Sequence, residues 1–148
     1  MTTNYAANIE SIRQAQQRLA GQVHRTPLIQ CQTINQRAGR TLWLKCENQQ
    51  KVGAFKFRGA TNAVTLLNDE QATLGVVTHS SGNHAQALAL AARNRGIAAH
   101  IVMPSNAPSV KRQAVEGYGA EVIACEPTLA ARETTAEAVI QRTGATFI

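Results

Sequence analysis

Several features that define other classes of protein are scarce in this 148-residue chain. Aromatic residues make up 4% of it, and its three cysteines, Cys31, Cys46 and Cys125, form no CxxC pair. We therefore expect neither a disulfide framework nor a zinc or other metal site. Three unpaired cysteines also favour a protein that works in a reducing compartment. The first residues contain no apolar segment of the kind that a secretory signal needs, and no uncharged apolar run approaches membrane-spanning length. The sequence predicts a cytoplasmic protein that does not enter a membrane.

The formal net charge of +6 does not by itself indicate a nucleic-acid-binding protein. Eleven of the fifteen basic residues are arginines, and they are scattered; the densest groupings are Lys111-Arg112 and the pair Arg93 and Arg95. Surfaces that bind nucleic acid combine clustered basic groups with aromatic stacking platforms, and the two are not interleaved here. A modest basic excess also fits an anionic small molecule, so we predict a small-molecule ligand and no nucleic-acid partner.

A strand–helix rhythm occupies the second half of the chain. Short apolar, β-branched runs follow Gly75, Gly96, Gly119 and Gly144, at spacings of 21, 23 and 25 residues, and helical patterns fill the intervals. A glycine after each helix suits the left-handed conformation that ends many helices. The fold class predicted is therefore α/β, with an open, twisted parallel sheet flanked by helices. The 25 alanines suit the same closely packed architecture. Helices are predicted over His84–Arg95, Ser109–Tyr118 and Leu129–Arg142.

The first fifty residues have a different pattern, which suggests a second structural layer. We predict residues 1–52 to be a helix and strand of a larger, incomplete domain. Residues 53–148 are predicted to be a small α/β domain whose last strand, after Gly144, is truncated. In the first layer the predictions are a helix over Asn8–Leu19 with Ile9, Ile12 and Leu19 on its apolar side, a strand over Leu42–Glu47 and a polar linker over Asn48–Ala54.

Lys56 lies between Phe55 and Phe57, just before a helix predicted over Thr61–Leu67. Apolar neighbours and the positive end of a helix both disfavour an ammonium ion, so the pattern favours a neutral, nucleophilic amine. Such an amine is what an aldehyde-bearing cofactor needs to form a Schiff base. The plainer interpretation is a surface lysine at the start of a helix.

A second polar segment joins a predicted strand to a predicted helix at the carboxyl edge of the sheet, where open α/β proteins bind ligands. Ser80, Ser81 and Asn83 are good helix-capping residues, and Gly82 permits a tight turn. Ordinary capping needs only one such residue, so this run of small and polar residues indicates an anion-binding loop. Arg132, near the start of the last predicted helix, is a further candidate for gripping a carboxylate, although it could instead pair with Glu133 or Glu137 on its own helix.

These segments together resemble the serine/threonine dehydratase and serine racemase branch of the pyridoxal-phosphate (PLP) enzymes with the tryptophan-synthase-β fold, also called fold type II. The motifs run in the family's order across nearly the whole chain. Cysteine and threonine synthases of that fold usually show an Asp-Arg pair and an Asn-Thr pair where this chain has Phe57-Arg58 and Asn83-His84. The segments that carry the resemblance are Arg25–Leu28, Gly53–Ala60, Thr78–Leu88, Cys125–Pro127 and Arg132-Glu133.

The resemblance implies a role for each candidate residue. Lys56 would carry PLP as a Schiff base, Phe55 would lie against the cofactor ring, and Asn83 would bond its hydroxyl. Ser81 would also be catalytic, on the opposite side of the substrate Cα from Lys56. The residues implied to receive the carboxylate of an amino-acid substrate are Ser80, Ser81, Asn83, His84 and Arg132, and those implied at a nucleotide effector site are Lys51, Gln86 and Tyr118.

The function expected from this resemblance is dehydration of a 3-hydroxy amino acid to a 2-oxo acid and ammonia, by a protein that dimerises at full length. The family's glycine-rich phosphate loop has no counterpart in the sequence, so we expect an N-terminal portion that is inactive alone. The alternatives are a serine racemase of the same family and a non-catalytic truncated remnant. A dinucleotide-binding module is disfavoured, because no GxGxxG motif follows a predicted strand.

Overall fold

The computed structural model describes residues 7–148 as a layered α/β structure with two separate sheets. Two short 3-10 turns, Glu47–Gln49 and Lys51–Gly53, connect the first part of the chain to the rest. None of the helices described is long and apolar enough to cross a membrane. The helices and strands in chain order are α1 (Ile9–Arg18), β1 (Leu28–Ile29), α2 (Gln32–Ala38), β2 (Leu44–Lys45), α3 (Lys56–Leu66), α4 (Asp69–Leu74), β3 (Val76–His79), α5 (Asn83–Arg95), β4 (Ala99–Pro104), α6 (Ser109–Gly117), β5 (Glu121–Cys125), α7 (Leu129–Thr143) and β6 (Thr146–Phe147).

The main sheet has four parallel strands in the order β5-β4-β3-β6. Val76 on β3 is paired with Ala99 on β4 and with Thr146 on β6. The predicted parallel sheet is therefore confirmed, and its short last strand lies at one edge. Since each crossover leaves a strand at its carboxyl end, the loops before α5, α6 and α7 all lie along the same edge of the sheet.

Alternation along the strands divides the core into two layers. Val76 and Ile101 face a layer that contains Phe57 of α3 and the alanine-rich face of α5. Val77 and Val102 face the other side, against α7. Five alanines of α5 are at most 2% exposed, so this helix lies close to its neighbours because it has little side chain to hold it away. The abundance of alanine in the sequence is thus explained by close packing.

The first layer differs from its prediction in detail. Helix α1 forms as expected, with Asn8 as its N-cap, and Leu19 is buried, but Ile9 and Ile12 are exposed. The predicted strand over Leu42–Glu47 is reduced to β2, which pairs with β1 in a small antiparallel sheet. The boundary between two domains at residue 52 stays a prediction.

The segment Asn48–Ala54, predicted to be a polar linker, is instead a pair of tight turns. Gln50 is 3% exposed, and its side chain accepts from the main-chain N–H of His24 and donates to the carbonyl of the same residue, each at 2.9 Å. Polar composition misled the prediction, because a buried amide that satisfies its own hydrogen bonds is compatible with an ordered core.

Candidate active site

Helices α3 and α5 pack against each other with their carboxyl ends together. Arg95, in the last turn of α5, donates to the main-chain carbonyls of Val64 and Leu67 near the end of α3. Buried residues along both helices belong to one core cluster, so the two helices run side by side. Lys56, the first residue of α3, and Asn83, the first residue of α5, therefore lie at the same end of this helix layer. That end is the carboxyl edge of the sheet, because α5 follows β3 directly. The two motifs singled out in the sequence are therefore brought to one edge.

The side chain of Lys56 is exposed, and its surroundings differ from the prediction. Phe57 is fully buried in the core, whereas Phe55 is 60% exposed, so the two phenylalanines do not enclose the amine between them. The Lys56 Nζ lies 5.2 Å from the centroid of the Phe55 ring, a cation–π distance. Phe57 faces the core and is buried, whereas Phe55 and Lys56 before it face outward. An accessible amine beside an aromatic ring results.

The helix α3 begins at Lys56, five residues earlier than the sequence predicts, and no side chain of the described residues caps it. Phe55 has helical dihedral angles at the N-cap position, where a hydroxyl or amide side chain is usual. The positive end of the helix is therefore directly at the amine-bearing residue.

The loop between β3 and α5 is held by two hydrogen bonds and leaves the first N–H groups of α5 without a side-chain acceptor among the described residues. The Ser80 N–H bonds the carbonyl of Val102 at 3.0 Å, and the Gly82 N–H bonds the Ser80 Oγ at 3.2 Å. The N-cap of α5 is Gly82, so within the described part of the chain no side chain satisfies the first N–H groups of this helix. Ordinary helix capping therefore does not account for Ser81 and Asn83, and the loop has the donor character of an anion site.

The side chain of His84 is engaged with a distant part of the chain. Its Nε2 lies 2.9 Å from the main-chain oxygen of Ile148, next to the edge strand β6. Asn83 beside it is exposed. The two neighbours predicted to act together thus have different surroundings.

Arg132 lies in the first turn of α7, at the same carboxyl edge. Its Nε is buried without a hydrogen-bond partner in residues 7–148, and neither Glu133 nor Glu137 forms an ion pair with it. Burial raises the pKa of the neighbouring Cys125 thiol, and the charge of Arg132 acts on that pKa in the opposite direction. An unsatisfied guanidinium nitrogen is costly, and an anion bound beside it would supply the missing acceptor.

The three residues implied at an effector site have different surroundings, and the effector site itself stays a prediction. The Lys51 Nζ donates to the carbonyl of Gln22 at 2.7 Å and lies 5.5 Å from the Phe57 ring centroid. Tyr118 lines a cavity of about 300 Å³ together with Arg93, and neither Lys51 nor Gln86 is part of its lining.

A partly buried ionic cluster beside Lys56 has no counterpart in the sequence predictions. Glu47, in the first 3-10 turn, accepts from Arg58 of α3 and from the Thr26 hydroxyl. Sequence spacing gives no signal for it, because Thr26, Glu47 and Arg58 are far apart along the chain and only the folded turns bring them together.

Residues 19–148 match the family of pyridoxal-phosphate dependent enzymes, and the chain belongs to this family. It is 53% identical over 144 residues to a serine racemase of Arabidopsis thaliana, in a match that covers 97% of this chain and 44% of that protein. The structure of maize serine racemase superposes with a TM-score of 0.93 at 52% identity, covering 97% of this chain and 44% of the other. The processed form of threonine deaminase isoform 2 from Solanum lycopersicum gives a TM-score of 0.82 at 31% identity, with 96% and 43% covered. The chain thus spans less than half the length of these relatives.

The fold is that of the N-terminal part of PLP fold type II enzymes, and the family cofactor is PLP. The described residues fit the reactive end of that cofactor: Lys56 offers an accessible amine, Phe55 an exposed ring, and Arg132 a buried nitrogen without an acceptor. A glycine-rich phosphate loop is not present in the sequence, so the fit concerns the aldehyde and the substrate carboxylate only.

Proposed function

We propose that this chain carries the lysine and the carboxylate-binding loop of a PLP-dependent dehydratase that converts a 3-hydroxy amino acid to a 2-oxo acid and ammonia. The observation that carries the proposal is the placement of Lys56 and the uncapped start of α5 at one edge of the sheet. An amine and an anion cradle at one edge suit a substrate that has both an amino group and a carboxylate. The activity requires more than this chain, which spans 44% of its serine racemase relative.

The carboxylate is received by α5 and α7. The free first-turn N–H groups of α5, with the side chains of Ser80, Ser81 and Asn83, bind one end of the anion. Arg132 supplies a charged donor from the first turn of α7. His84 completes the set if its ring turns from the Ile148 oxygen.

Bound PLP supplies the electron sink that makes the Cα–H bond of an amino acid acidic. With PLP bound, Lys56 would hold the cofactor through its aldehyde and, once the substrate amine has replaced it there, would take the Cα proton. The substrate would lose its β-hydroxyl and one proton as water, and the enamine, once free of the site, would take up one water to yield the 2-oxo acid and ammonia. Phe55 would lie against the cofactor ring, and Asn83 would bond its hydroxyl.

A second candidate is serine racemisation, which the 53% identity to a serine racemase favours. The first step is the same, since Lys56 removes the Cα proton. The outcomes diverge when Ser81 returns a proton to the opposite face before the hydroxyl leaves. We further propose a cytoplasmic homodimer for the full-length protein, with two domains that meet at residue 52.

Cofactor attachment to this chain tests the proposal before any activity is measured. The protein is incubated with PLP, reduced with borohydride and digested, and the labelled lysine is identified by mass spectrometry. We expect label at Lys56 well above that at Lys111, an exposed lysine of α6, and its loss in Lys56→Ala but not in Lys111→Ala. Label spread evenly over the four lysines would overturn the assignment and favour a non-catalytic remnant.

The reaction itself is measured with L-serine and L-threonine on a full-length protein that contains this chain. A 2-oxo acid with stoichiometric ammonia supports dehydration, and D-serine without ammonia supports racemisation. Ser81→Ala separates the two further, because it should abolish racemisation while leaving elimination measurable.

A further inference from the structure

A cluster of three side chains connects the N-terminal layer to the first turn of α3. It consists of Thr26, Glu47 and Arg58 and is here called the Glu47 clasp. The Arg58 Nε donates to the Glu47 Oε2 at 2.9 Å, and its Nη2 donates to the Oε1 at 2.7 Å, a two-pronged contact. The Thr26 hydroxyl donates to the same Oε1 at 2.6 Å. Two-pronged arginine–carboxylate contacts fix direction as well as distance.

The clasp is partly buried and is braced on the N-terminal side. Thr26 is 5% exposed, and the Arg58 Nη2 also donates to the carbonyl of His24 at 3.0 Å. The same carbonyl accepts from buried Gln50. The hydrogen bond from Arg58 lowers the pKa of the Glu47 carboxyl to about 2, so the carboxylate is charged at neutral pH.

The first turn of α3 has few other anchors. No side chain in the described part of the chain caps the helix, and Lys56 and Phe55 are both exposed. Phe57 anchors one face of the turn in the core, and Arg58 anchors the next position through Glu47. Just upstream, Val52 has a φ of +55°, a left-handed conformation that a β-branched residue adopts only under constraint from its surroundings. The backbone conformation that leads to Lys56 is therefore set by contacts of the neighbouring residues and not by the Lys56 side chain.

We propose that Glu47 is a positioning residue for Lys56: through Arg58 it fixes the first turn of α3 and thereby the direction of the amine toward the cofactor aldehyde. The proposal rests on the proposed function of Lys56. Glu47 acts through a residue two positions along the chain from the reacting amine and does not touch the cofactor itself.

The test follows the rate at which PLP becomes attached to Lys56 in the 148-residue chain. Amine and aldehyde join with loss of one water, and borohydride then delivers hydride to the carbon of the C=N bond while water protonates the nitrogen. The amount of label at Lys56 is divided by the amount at Lys111 in the same sample. Differences in cofactor concentration or pH between samples then affect both lysines and do not change the ratio. The variants are Glu47→Gln and, as the matched control, Glu121→Gln, which breaks the His100 contact at the start of β5 and leaves α3 untouched.

We expect the Lys56-to-Lys111 ratio to fall by about tenfold or more in Glu47→Gln, because misplacing a reacting group by 1 Å can cost about a hundredfold. Glu121→Gln should leave the ratio unchanged, and circular dichroism confirms that each protein is folded. Arg58→Lys keeps the charge but loses the two-pronged contact, and it should lower the ratio in the same direction; it also serves if Glu47→Gln does not fold.

The outcomes separate the two proposals. No preference for Lys56 in the unaltered chain overturns the proposed function. A preference that survives in folded Glu47→Gln overturns the positioning role alone, as does an equal loss in Glu121→Gln, which would indicate a general effect of stability.

Discussion

Arg95 donates to the main-chain carbonyl of Leu67 at 2.7 Å, linking the last turn of α5 to the residue that follows α3. Carbonyl groups at the end of a helix have no partner within it, so one guanidinium satisfies groups that would otherwise be left without donors. The contact also joins the two helices at their carboxyl ends. The starts of the two helices, at Lys56 and Asn83, lie at the other end of the same helix pair.

We expect Arg95→Ala to lower the free energy of unfolding by about 1–3 kcal/mol, the cost of leaving partly buried carbonyls unsatisfied. Urea denaturation followed by circular dichroism measures the change. The control is Arg93→Ala on the same helix, which removes an exposed contact of 3.4 Å to the Gly117 carbonyl and should cost less than about 0.5 kcal/mol. Equal losses in the two variants would show that the helix ends are satisfied by solvent instead.

The two phenylalanines that flank Lys56 should behave in opposite ways. Phe57→Ala removes a fully buried ring and should destabilise the protein by about 3–5 kcal/mol. Phe55→Ala changes an exposed ring and should alter stability by less than about 0.5 kcal/mol. It should nevertheless reduce PLP attachment to Lys56 if the ring faces the cofactor. Thermal unfolding and the borohydride labelling measure the two effects, and a large loss of stability in Phe55→Ala would contradict the assignment.

Much of the fold was predictable, because local signals and global packing agree in residues 75–148. Glycines such as Gly96 and Gly144 end helices in the left-handed conformation, and short β-branched runs follow them as strands. The N-terminal layer was less predictable. The strand over Leu42–Glu47 shrinks to two residues because its partner β1 is equally short, and no periodicity in one segment reveals the length of another.

The candidate site was predictable as a set of residues but not as an arrangement. The identities of Lys56 and of the Ser80–His84 loop stood out in the sequence, whereas the contact from Arg95 that joins the ends of their helices did not. The apolar setting expected for Lys56 is present only in part: Phe55 lies beside the amine, but Phe57 faces the core, since consecutive residues at the start of a helix face different directions. The Glu47 clasp could not be found at all, because three separated residues meet only after folding.

Gly75, between α4 and β3, should tolerate substitution poorly. Its φ is +83°, and a Cβ there would lie 2.7 Å from the carbonyl oxygen of Ala98, which is main chain and cannot turn aside. Gly96 also has a positive φ, but a Cβ there would meet nothing within 4 Å. Gly96→Ala should therefore cost roughly 1–2 kcal/mol of conformational strain, and Gly75→Ala clearly more. The midpoints of urea unfolding compare the two; a Gly75→Ala protein as stable as Gly96→Ala would place the start of β3 elsewhere.

Acid should weaken the protein through Glu47. Its carboxyl has a pKa of about 2 in the folded chain, lowered from 4.5 first by the hydrogen bond from Arg58 and also by Thr26. As pH falls from about 5 toward 2, the unfolded chain takes up a proton that the folded chain does not, so the free energy of unfolding falls with it. The stability that Glu47 contributes is fully present above the pKa of this carboxyl in the unfolded chain, and it is lost as the pH falls toward 2.

Urea denaturation at several pH values measures the slope. Glu47→Gln has no carboxyl to protonate, so its stability should be lower at pH 7 and should fall less steeply between pH 5 and about 2. Part of the slope should remain, because the pKa of Glu121 is lowered as well, chiefly by its hydrogen bond with His100. The double variant with Glu121→Gln should flatten it further. Parallel curves for the unaltered chain and Glu47→Gln would mean that the clasp does not hold its carboxylate in the folded protein.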